Sequence, residues 1–260
     1  MTATTYQPDL YNIVHSLRTK DVEWYKDLAK KANKPILELG AGTGRTILPI
    51  ARAGIQIHAI EYAIEMRNYL LKHISDEEPT LSDYVILIED DMASFNLDTK
   101  FNLIQIPFRG FLHNINRETQ LACLTCCYKH LTPGGVLAFD VFMPSDSYMN
   151  QFKGKFSGIP RIDDPYPLAS NGSWLVLTEW NDYDNGAKIV KSMHRYDMVE
   201  NNGIITKSSL QILELAILYP DDIISLLKEI GFSNIKIYGG FAEEKIESNS
   251  QDLVILASKP

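Results

Sequence analysis

The sequence predicts an α/β fold in which helices cover a largely parallel sheet. Short apolar runs that end in glycine or in acidic residues recur along the first half of the chain, and segments with helical spacing separate them. This alternation is typical of a parallel sheet whose strands are joined by crossover helices. A chain of 260 residues is long enough to bury such a sheet in one domain.

The first strand predicts a ligand-binding turn. Residues 36–39 are apolar apart from Glu38, and Gly-Ala-Gly-Thr-Gly follows at residues 40–44, directly before a helical segment at residues 46–53. Glycine permits positive φ and lets the backbone approach a ligand, because it has no Cβ. Strand, glycine turn and helix together predict a nucleotide-type binding loop at the carboxyl end of a buried strand.

The following strands end in polar residues. Residues 58–60 lead into Glu61, which lies 21 residues after Gly40. An acid at roughly a 20-residue offset accepts hydrogen bonds from ribose hydroxyls in dinucleotide-binding folds. A further apolar run at residues 84–88 ends in acids, and another at residues 101–108 leads into Arg-Gly-Phe-Leu-His at residues 109–113.

The second half of the chain predicts an antiparallel insertion. A strand at residues 139–142 precedes an irregular segment at 143–173, and three runs of alternating character follow, separated by Gly-containing turns at 184–186 and 200–203. A helix at 221–230 then leads to a closing antiparallel pair. The three runs are residues 174–182, 188–199 and 204–218, and the closing pair is residues 235–238 and 253–258.

The amino-terminal segment predicts a lid. Residues 9–32 are expected to be helical, because four apolar residues between positions 22 and 29 fall on one face at helical spacing. We interpret residues 1–260 as a single domain with a helical lid at 1–33 and an antiparallel cap at 143–219.

Residues 38–44, Glu-Leu-Gly-Ala-Gly-Thr-Gly, resemble motif I of the class I S-adenosylmethionine (SAM) methyltransferases, E/D-x-G-x-G-x-G. Arg45 stands where a dinucleotide fingerprint needs Gly or Ala for close helix–strand packing. The resemblance runs from about residue 6 to residue 259, and it implies a Rossmann-like seven-stranded sheet with SAM as the cofactor. Asn102 replaces the acid that the family usually carries in its fourth strand, and we interpret this change as structural.

The same resemblance implies residues for cofactor binding. Glu61 is expected to accept from the ribose hydroxyls, or else to be an ordinary strand-end acid. Asp91, with Asp90 as its alternative, is expected to accept from the adenine amino group, and Met66 either packs on the adenine ring or belongs to the core. The full set is Tyr11, Glu38, Gly40, Ala41, Gly42, Arg45, Glu61, Tyr62, Met66, Asp91, Met92 and Pro107.

The antiparallel insertion resembles that of natural-product N-methyltransferases, among them amino-sugar N,N-dimethyltransferases and peptide N-methyltransferases of the plantazolicin type. This resemblance implies methylation of an amine on a small molecule or a short modified peptide in natural-product biosynthesis. O-methylation of a hydroxyl or carboxyl group stays open as an alternative, as does a non-catalytic scaffold that binds SAM.

Candidate acceptor residues flank the predicted cleft. His113 is a general base by side-chain type and equally a hydrogen-bonded residue at a helix start. Acidic and aromatic groups around Asp164 can hold a cationic acceptor, with a solvated turn as the alternative. The predicted catalytic residues are His113, Tyr183 and Asp164, the predicted substrate-binding residues are Phe108, Arg109, Tyr166, Arg195 and Tyr196, and no metal site is predicted.

Composition limits the partners that we expect. The net charge is −8 and no run of Lys or Arg can follow a phosphate backbone, so nucleic-acid partners are not expected. No apolar stretch reaches the length of a membrane span and no signal peptide is evident, so we expect a cytoplasmic monomer or homodimer. The three cysteines at 123, 126 and 127 are expected to be reduced thiols in a helix.

Overall fold

The computed structural model describes residues 6–32, 35–143, 145, 161–162, 165–168, 172–184 and 186–260. Across these residues, seven strands form one mixed sheet and five strands form a second, antiparallel sheet. None of the described helices is long and apolar enough to cross a membrane.

The larger sheet confirms the predicted α/β fold. Its strands are β1 (Ile36–Leu39), β2 (Ile57–Ile60), β3 (Val85–Ile88), β4 (Phe101–Ile106), β5 (Leu131–Phe142), β11 (Ser233–Tyr238) and β12 (Asp252–Ser258). They lie in the order β3-β2-β1-β4-β5-β12-β11, in which β12 pairs antiparallel with both β5 and β11. β1 and β4 are parallel, but the order of strands switches between them: β2 and β3 lie on one side of β1, and β4 and β5 lie on the other. Ligands of open α/β sheets bind in the crevice at such a switch point.

Helices cover both faces of this sheet. They are α1 (Pro8–His15), α2 (Lys20–Lys31), α3 (Ile47–Arg52), α4 (Ile64–Glu77), α5 (Arg117–His130) and α6 (Pro220–Ile230). The amino-terminal helix predicted at 9–32 is in fact two helices, with a break at residues 16–19. The side chains around this break are exposed, so no apolar contact carries one continuous helix across it.

The smaller sheet is the predicted cap. Its long strands are β8 (Trp174–Asp184), β9 (Ile189–Val199) and β10 (Ile205–Ala216), and two short strands, β6 (Arg161–Ile162) and β7 (Tyr166–Pro167), also pair with β8. The sequence predicted only the three long strands. Leu10 and Val14 of α1 pack against Leu175 and Leu177, so the lid and the cap share one apolar cluster.

The cysteines lie in α5 as expected. Cys123 and Cys127 are buried, Cys126 is half-buried, and all three are free thiols. Burial raises the pKa of the Cys126 and Cys127 thiols, so neither favours the reactive thiolate form.

The buried carboxylate of Asp140 joins three parts of the fold. Its Oδ1 accepts the hydroxyl of Tyr25, on α2, and the backbone N–H of Phe108, each at 2.7 Å. Its Oδ2 accepts the backbone N–H of Arg109 at 3.0 Å. Phe108 and Arg109 have φ angles of 53° and 63°, a left-handed conformation that side chains rarely adopt without support. Asp140 thus stabilises the turn that follows β4 and fixes α2 against it.

The glycine turn offers a test of packing. Gly44 has a φ of 88°, and a Cβ there would lie 2.5 Å from Leu70 Cδ1 of α4. Gly54 has a φ of 75°, but a Cβ there would meet no atom within 4 Å. Gly54→Ala should therefore cost only the backbone strain, about 1–2 kcal/mol, whereas Gly44→Ala should cost more because Leu70 must move. Urea unfolding of both variants checks this, and equal losses would show that the contact with Leu70 is readily relieved.

Asp140 predicts a pH dependence of stability. Burial raises the pKa of Asp140 from 3.8 to about 7. Between these values the native state binds a proton that the unfolded chain does not, so this stabilisation is present below about pH 4 and is lost as the pH rises to about 7. Unfolding free energies measured from pH 4 to 8 should fall less steeply in Asp140→Asn than in the wild type or in Asp98→Asn, a change at an exposed position. An unchanged slope in Asp140→Asn would contradict this origin.

Candidate functional site

The glycine turn lies at the carboxyl end of β1 and is held by β2. The backbone N–H groups of Gly40 and Ala41 both donate to the carbonyl of Ile60, at 2.8 and 3.0 Å. Gly40 has a φ of 79°, and a Cβ there would lie 3.7 Å from the terminal methyl of Met92. The turn after β1 and the turn after β3 therefore meet.

Glu61 lies against this turn with its side chain largely buried. Its Oε2 accepts the backbone N–H of Gly42 and its Oε1 accepts the backbone N–H of Ala63, each at 2.7 Å. Burial raises the pKa of Glu61. Of the neighbouring predicted residues, Met66 is buried and Tyr62 is 75% exposed at the rim. A carboxylate in this position can exchange or share its N–H partners with the hydroxyls of a ligand.

Glu38 holds the framework together rather than facing the turn. Its Oε1 accepts the hydroxyl of Thr46 and its Oε2 accepts the side-chain amide of Gln105, each at 2.6 Å. Burial raises the pKa of Glu38 to about 7. Both carboxylate oxygens thus have protein donors, which join β1 to β4 and to the start of α3.

The residues after β3 form a tight turn beside the glycines. Asp91 is exposed, and its Oδ1 accepts the backbone N–H of Ala93 at 2.8 Å. The alternative acid, Asp90, accepts the backbone N–H of Asp91 at 2.8 Å. The sulfur of Met92 receives the side-chain amide of the buried Asn114 at 3.3 Å, so this turn also contacts the loop after β4.

Arg45 connects the glycine turn to the lid. Its guanidinium pairs with Asp21 of α2 and donates to the carbonyl of Arg18 at 2.9 Å. The same guanidinium lies 4.2 Å from the ring centre of Phe108, within range of a cation–π contact. The hydroxyl of Thr43 donates to the side-chain oxygen of Asn12 at 2.6 Å. The structure therefore places Arg45 at the contact between lid and turn.

An aromatic wall forms the roof of the cleft. The rings of Tyr11 and His15 lie 4.6 Å apart, and His15 lies 4.8 Å from Phe108, both in edge-to-face contact. Burial raises the pKa of Tyr11 to about 12 and lowers that of His15 to about 3, so both side chains are neutral near pH 7. Sequence analysis did not identify His15, although its position four residues after Tyr11 on one helix was a signal.

His113 and Tyr6 lie at the open end of the cleft. Their ring centres are 6.5 Å apart in edge-to-face contact. Solvent reaches the His113 ring, while the protein around the cleft still lowers its pKa through lost hydration. Burial, and then the nearby Glu61, raise the pKa of Tyr6. Tyr6 thus lies between the predicted ribose site and His113, a position that sequence analysis missed because it depends on how the lid packs.

Some of the predicted acceptor residues lie beside the lid or in the turn after β4. Tyr196 lies on the inner face of β9, 3% exposed, and Tyr166 packs beside the same cluster. The guanidinium of Arg109 donates to Asp252 at 2.6 Å, which holds Arg109 at the start of β12. In the same turn, Pro107, a predicted cofactor-binding residue, accepts the Gly110 N–H through its carbonyl at 3.1 Å.

The other predicted acceptor residues lie elsewhere. Arg195 is exposed and pairs with Asp197 at 2.9 Å on the opposite face from Tyr196, because consecutive side chains of a strand alternate. The structure therefore does not bring Arg195 to the cleft. Tyr183 packs beside Val190 and Ile217 where the cap meets the sheet. Asp164 lies outside the described residues, and no group of three or more possible metal ligands occurs among those that are described.

Known proteins resemble this chain in sequence. A family model described as a methyltransferase domain matches residues 36–135. The cypemycin N-terminal methyltransferase of Streptomyces sp is 24% identical over 141 residues, which cover 53% of this chain and 55% of that protein. The chain thus matches about half the length of this curated relative.

Solved structures share the fold over nearly the whole chain. The CcbJ methyltransferase from Streptomyces caelestis is 19% identical, with a TM-score of 0.74 over 93% of this chain and 94% of that one. SAM-bound CalS10, an amino pentose methyltransferase from Micromonospora echinaspora, is 16% identical, with a TM-score of 0.72 over 100% of both chains. The chain therefore contains a segment that matches a methyltransferase domain model, and it shares its fold with methyltransferases of known structure, one of them solved with SAM bound.

Proposed function

We propose that this chain transfers a methyl group from SAM to an amine of a small molecule or a short modified peptide in natural-product biosynthesis. The observation that carries the proposal is one cleft with two different ends. Glu61, the glycine turn and Met92 form the inner end, and His113 with Tyr6 forms the outer end.

The inner end fits the adenosyl part of SAM. Gly40 has a φ of 79° and no Cβ, so its backbone can approach a ligand closely beside Met92. Glu61 would accept from the ribose hydroxyls, Asp91 from the adenine amine, and the buried Met66 would lie beneath the ring. Tyr62, exposed at the rim, would lie beside the ribose.

The protein's part in the reaction is alignment and exclusion of water. When bound, SAM supplies a methyl carbon on a positively charged sulfur, which an amine can displace in line, leaving S-adenosylhomocysteine and a proton. Tyr11, His15 and Phe108 cover the cleft with neutral rings, which exclude water and lower the local dielectric. His113 would receive the proton of the amine directly or through water.

An amine acceptor is supported by two comparisons. The cypemycin relative is an N-terminal methyltransferase, and CalS10 acts on an amino pentose. An O-methyltransferase would use the same donor end with a hydroxyl acceptor, and a scaffold would bind SAM without turnover. Acceptor panels containing amines and matched alcohols, incubated with methyl-labelled SAM, distinguish the three.

Glu61 is expected to contribute directly to donor affinity. Glu61→Ala should weaken binding of S-adenosylhomocysteine by about 1–3 kcal/mol, because charged hydrogen bonds to the ribose are lost. Isothermal calorimetry measures this loss. Glu65→Ala removes an exposed carboxylate four residues later and should leave the affinity within about twofold. Equal affinities of the Glu61 variant and the wild type would remove Glu61 from the site.

His113 is expected to affect turnover rather than donor binding. His113→Gln should lower kcat by about 10²-fold, a typical contribution of a general base, without changing the affinity for S-adenosylhomocysteine. Because the pKa of His113 is lowered below 6.5, kcat of the wild type should fall only below that pH. The His113 variant should lack this acidic fall in kcat. His58→Gln is the control, since burial also lowers the pKa of His58, on β2 beside Phe101. A His113 variant with normal kcat would leave it a hydrogen-bonding residue only.

A further inference from the structure

The inner face of the cap carries a polar band between two apolar clusters. At one end, Leu175 and Leu177 pack on α1, and at the other end Val190 and Ile217 pack beside Phe142. The strand register places five polar side chains between these clusters on the same face. They are Glu179 and Asn181 of β8, Ser192 and His194 of β9, and Gln211 of β10.

Glu179 is the carboxylate of this band, and within the described parts of the chain only one of its two oxygens accepts a hydrogen bond. Its Oε1 accepts the side-chain amide of Asn181 at 2.8 Å. Its Oε2 lies 3.9 Å from His194 Nε2, beyond hydrogen-bonding distance, and that nitrogen instead lies 2.9 Å from the hydroxyl of Ser192. The Glu179 side chain is 22% exposed, so it is sheltered but reachable. A carboxylate can accept about four hydrogen bonds, which leaves room for a ligand donor.

The band faces the same space as the roof of the cleft. The pKa of Tyr196 is raised by burial first, then by Glu179 and by Tyr11 of the lid. The pKa of His15 is lowered by burial first, and His194 is among the charges that add to this effect. Leu10 and Val14 of α1 also pack on Leu175, Leu177 and Tyr196 of the cap, so the polar band lies beside the lid helix that carries Tyr11 and His15.

We propose that Glu179 determines specificity by binding a basic nitrogen of the acceptor at the inner face of the cap, beside the lid. The Glu179 oxygen that accepts no hydrogen bond from the described residues would accept an N–H of the acceptor, and the ring of Tyr11 on the lid would stabilise a cationic group. A neutral hydroxyl or an acetylated nitrogen forms a weaker bond with the same carboxylate. This inference rests on the proposed function, and it names the acceptor class of that same site.

The test compares Glu179→Gln with Asp182→Asn. The first change keeps the shape of the side chain and removes its charge on the inner face. The second removes a charge from an exposed carboxylate on the outer face of the same strand. Methyl transfer from labelled SAM is measured with amines that include glucosamine and triglycine, and with their N-acetylated forms. Binding of the same compounds in the presence of S-adenosylhomocysteine is measured by calorimetry, and thermal unfolding checks the fold.

The expected result is methylation of at least one free amine and none of its acetylated form. Glu179→Gln should raise KM and weaken acceptor binding at least tenfold, with kcat and S-adenosylhomocysteine affinity nearly unchanged, while Asp182→Asn behaves as the wild type. Amine kinetics within twofold of the wild type in Glu179→Gln would overturn the inference and leave the proposed function standing. Failure of the wild type to use any amine while it binds S-adenosylhomocysteine would overturn both, and failure to bind S-adenosylhomocysteine would overturn the donor assignment itself.

Discussion

The cleft depends on one buried carboxylate, that of Asp140. Its donors come from the lid helix α2 and from two successive backbone positions after β4, two segments that are distant in sequence. The turn that it stabilises directs the ring of Phe108 towards the lid, where Tyr11 and His15 pack on it. Without these acceptors, two residues in a left-handed conformation would have little to hold them. Asp140 therefore sets the roof of the cleft.

The same device recurs at the ends of other strands. Glu38 near the end of β1 and Glu61 directly after β2 are also buried, and each carboxylate oxygen of both has a protein donor. Burying a charge without partners is very unfavourable, so each carboxylate fixes the groups that it accepts from. Only Glu61 accepts solely from backbone groups of the binding loops. This difference in partners explains why Glu61 is positioned to meet a ligand and Glu38 is positioned to hold the framework.

Local signals in the sequence predicted the inner end of the cleft. Strand, glycine turn and strand-end acid are short-range patterns, and the parallel sheet necessarily brings such strand ends together. The outer end depends on contacts distant in sequence, so Tyr6 and Glu179 could be recognised only after the lid and cap had been placed, and only the helical spacing from Tyr11 pointed to His15. The face of a strand is equally non-local information. Arg195 was predicted on the cleft side with Tyr196, whereas the register of β9 against β8 puts only one of the two there. The break at 16–19 was missed because helical spacing persists across it.

The position of Arg45 has a mechanical consequence. It directly follows the last glycine of the binding turn, and its guanidinium is bonded at the same time to the carbonyl of Arg18, between α1 and α2, and to Asp21 of α2. A displacement of the turn when the crevice fills would thus be transmitted to the lid through Arg45, together with the hydrogen bond from Thr43 to Asn12 of α1. Occupancy of the crevice and closure of the entrance are linked equilibria in such an arrangement, so whatever tightens one must favour the other by an equal free energy.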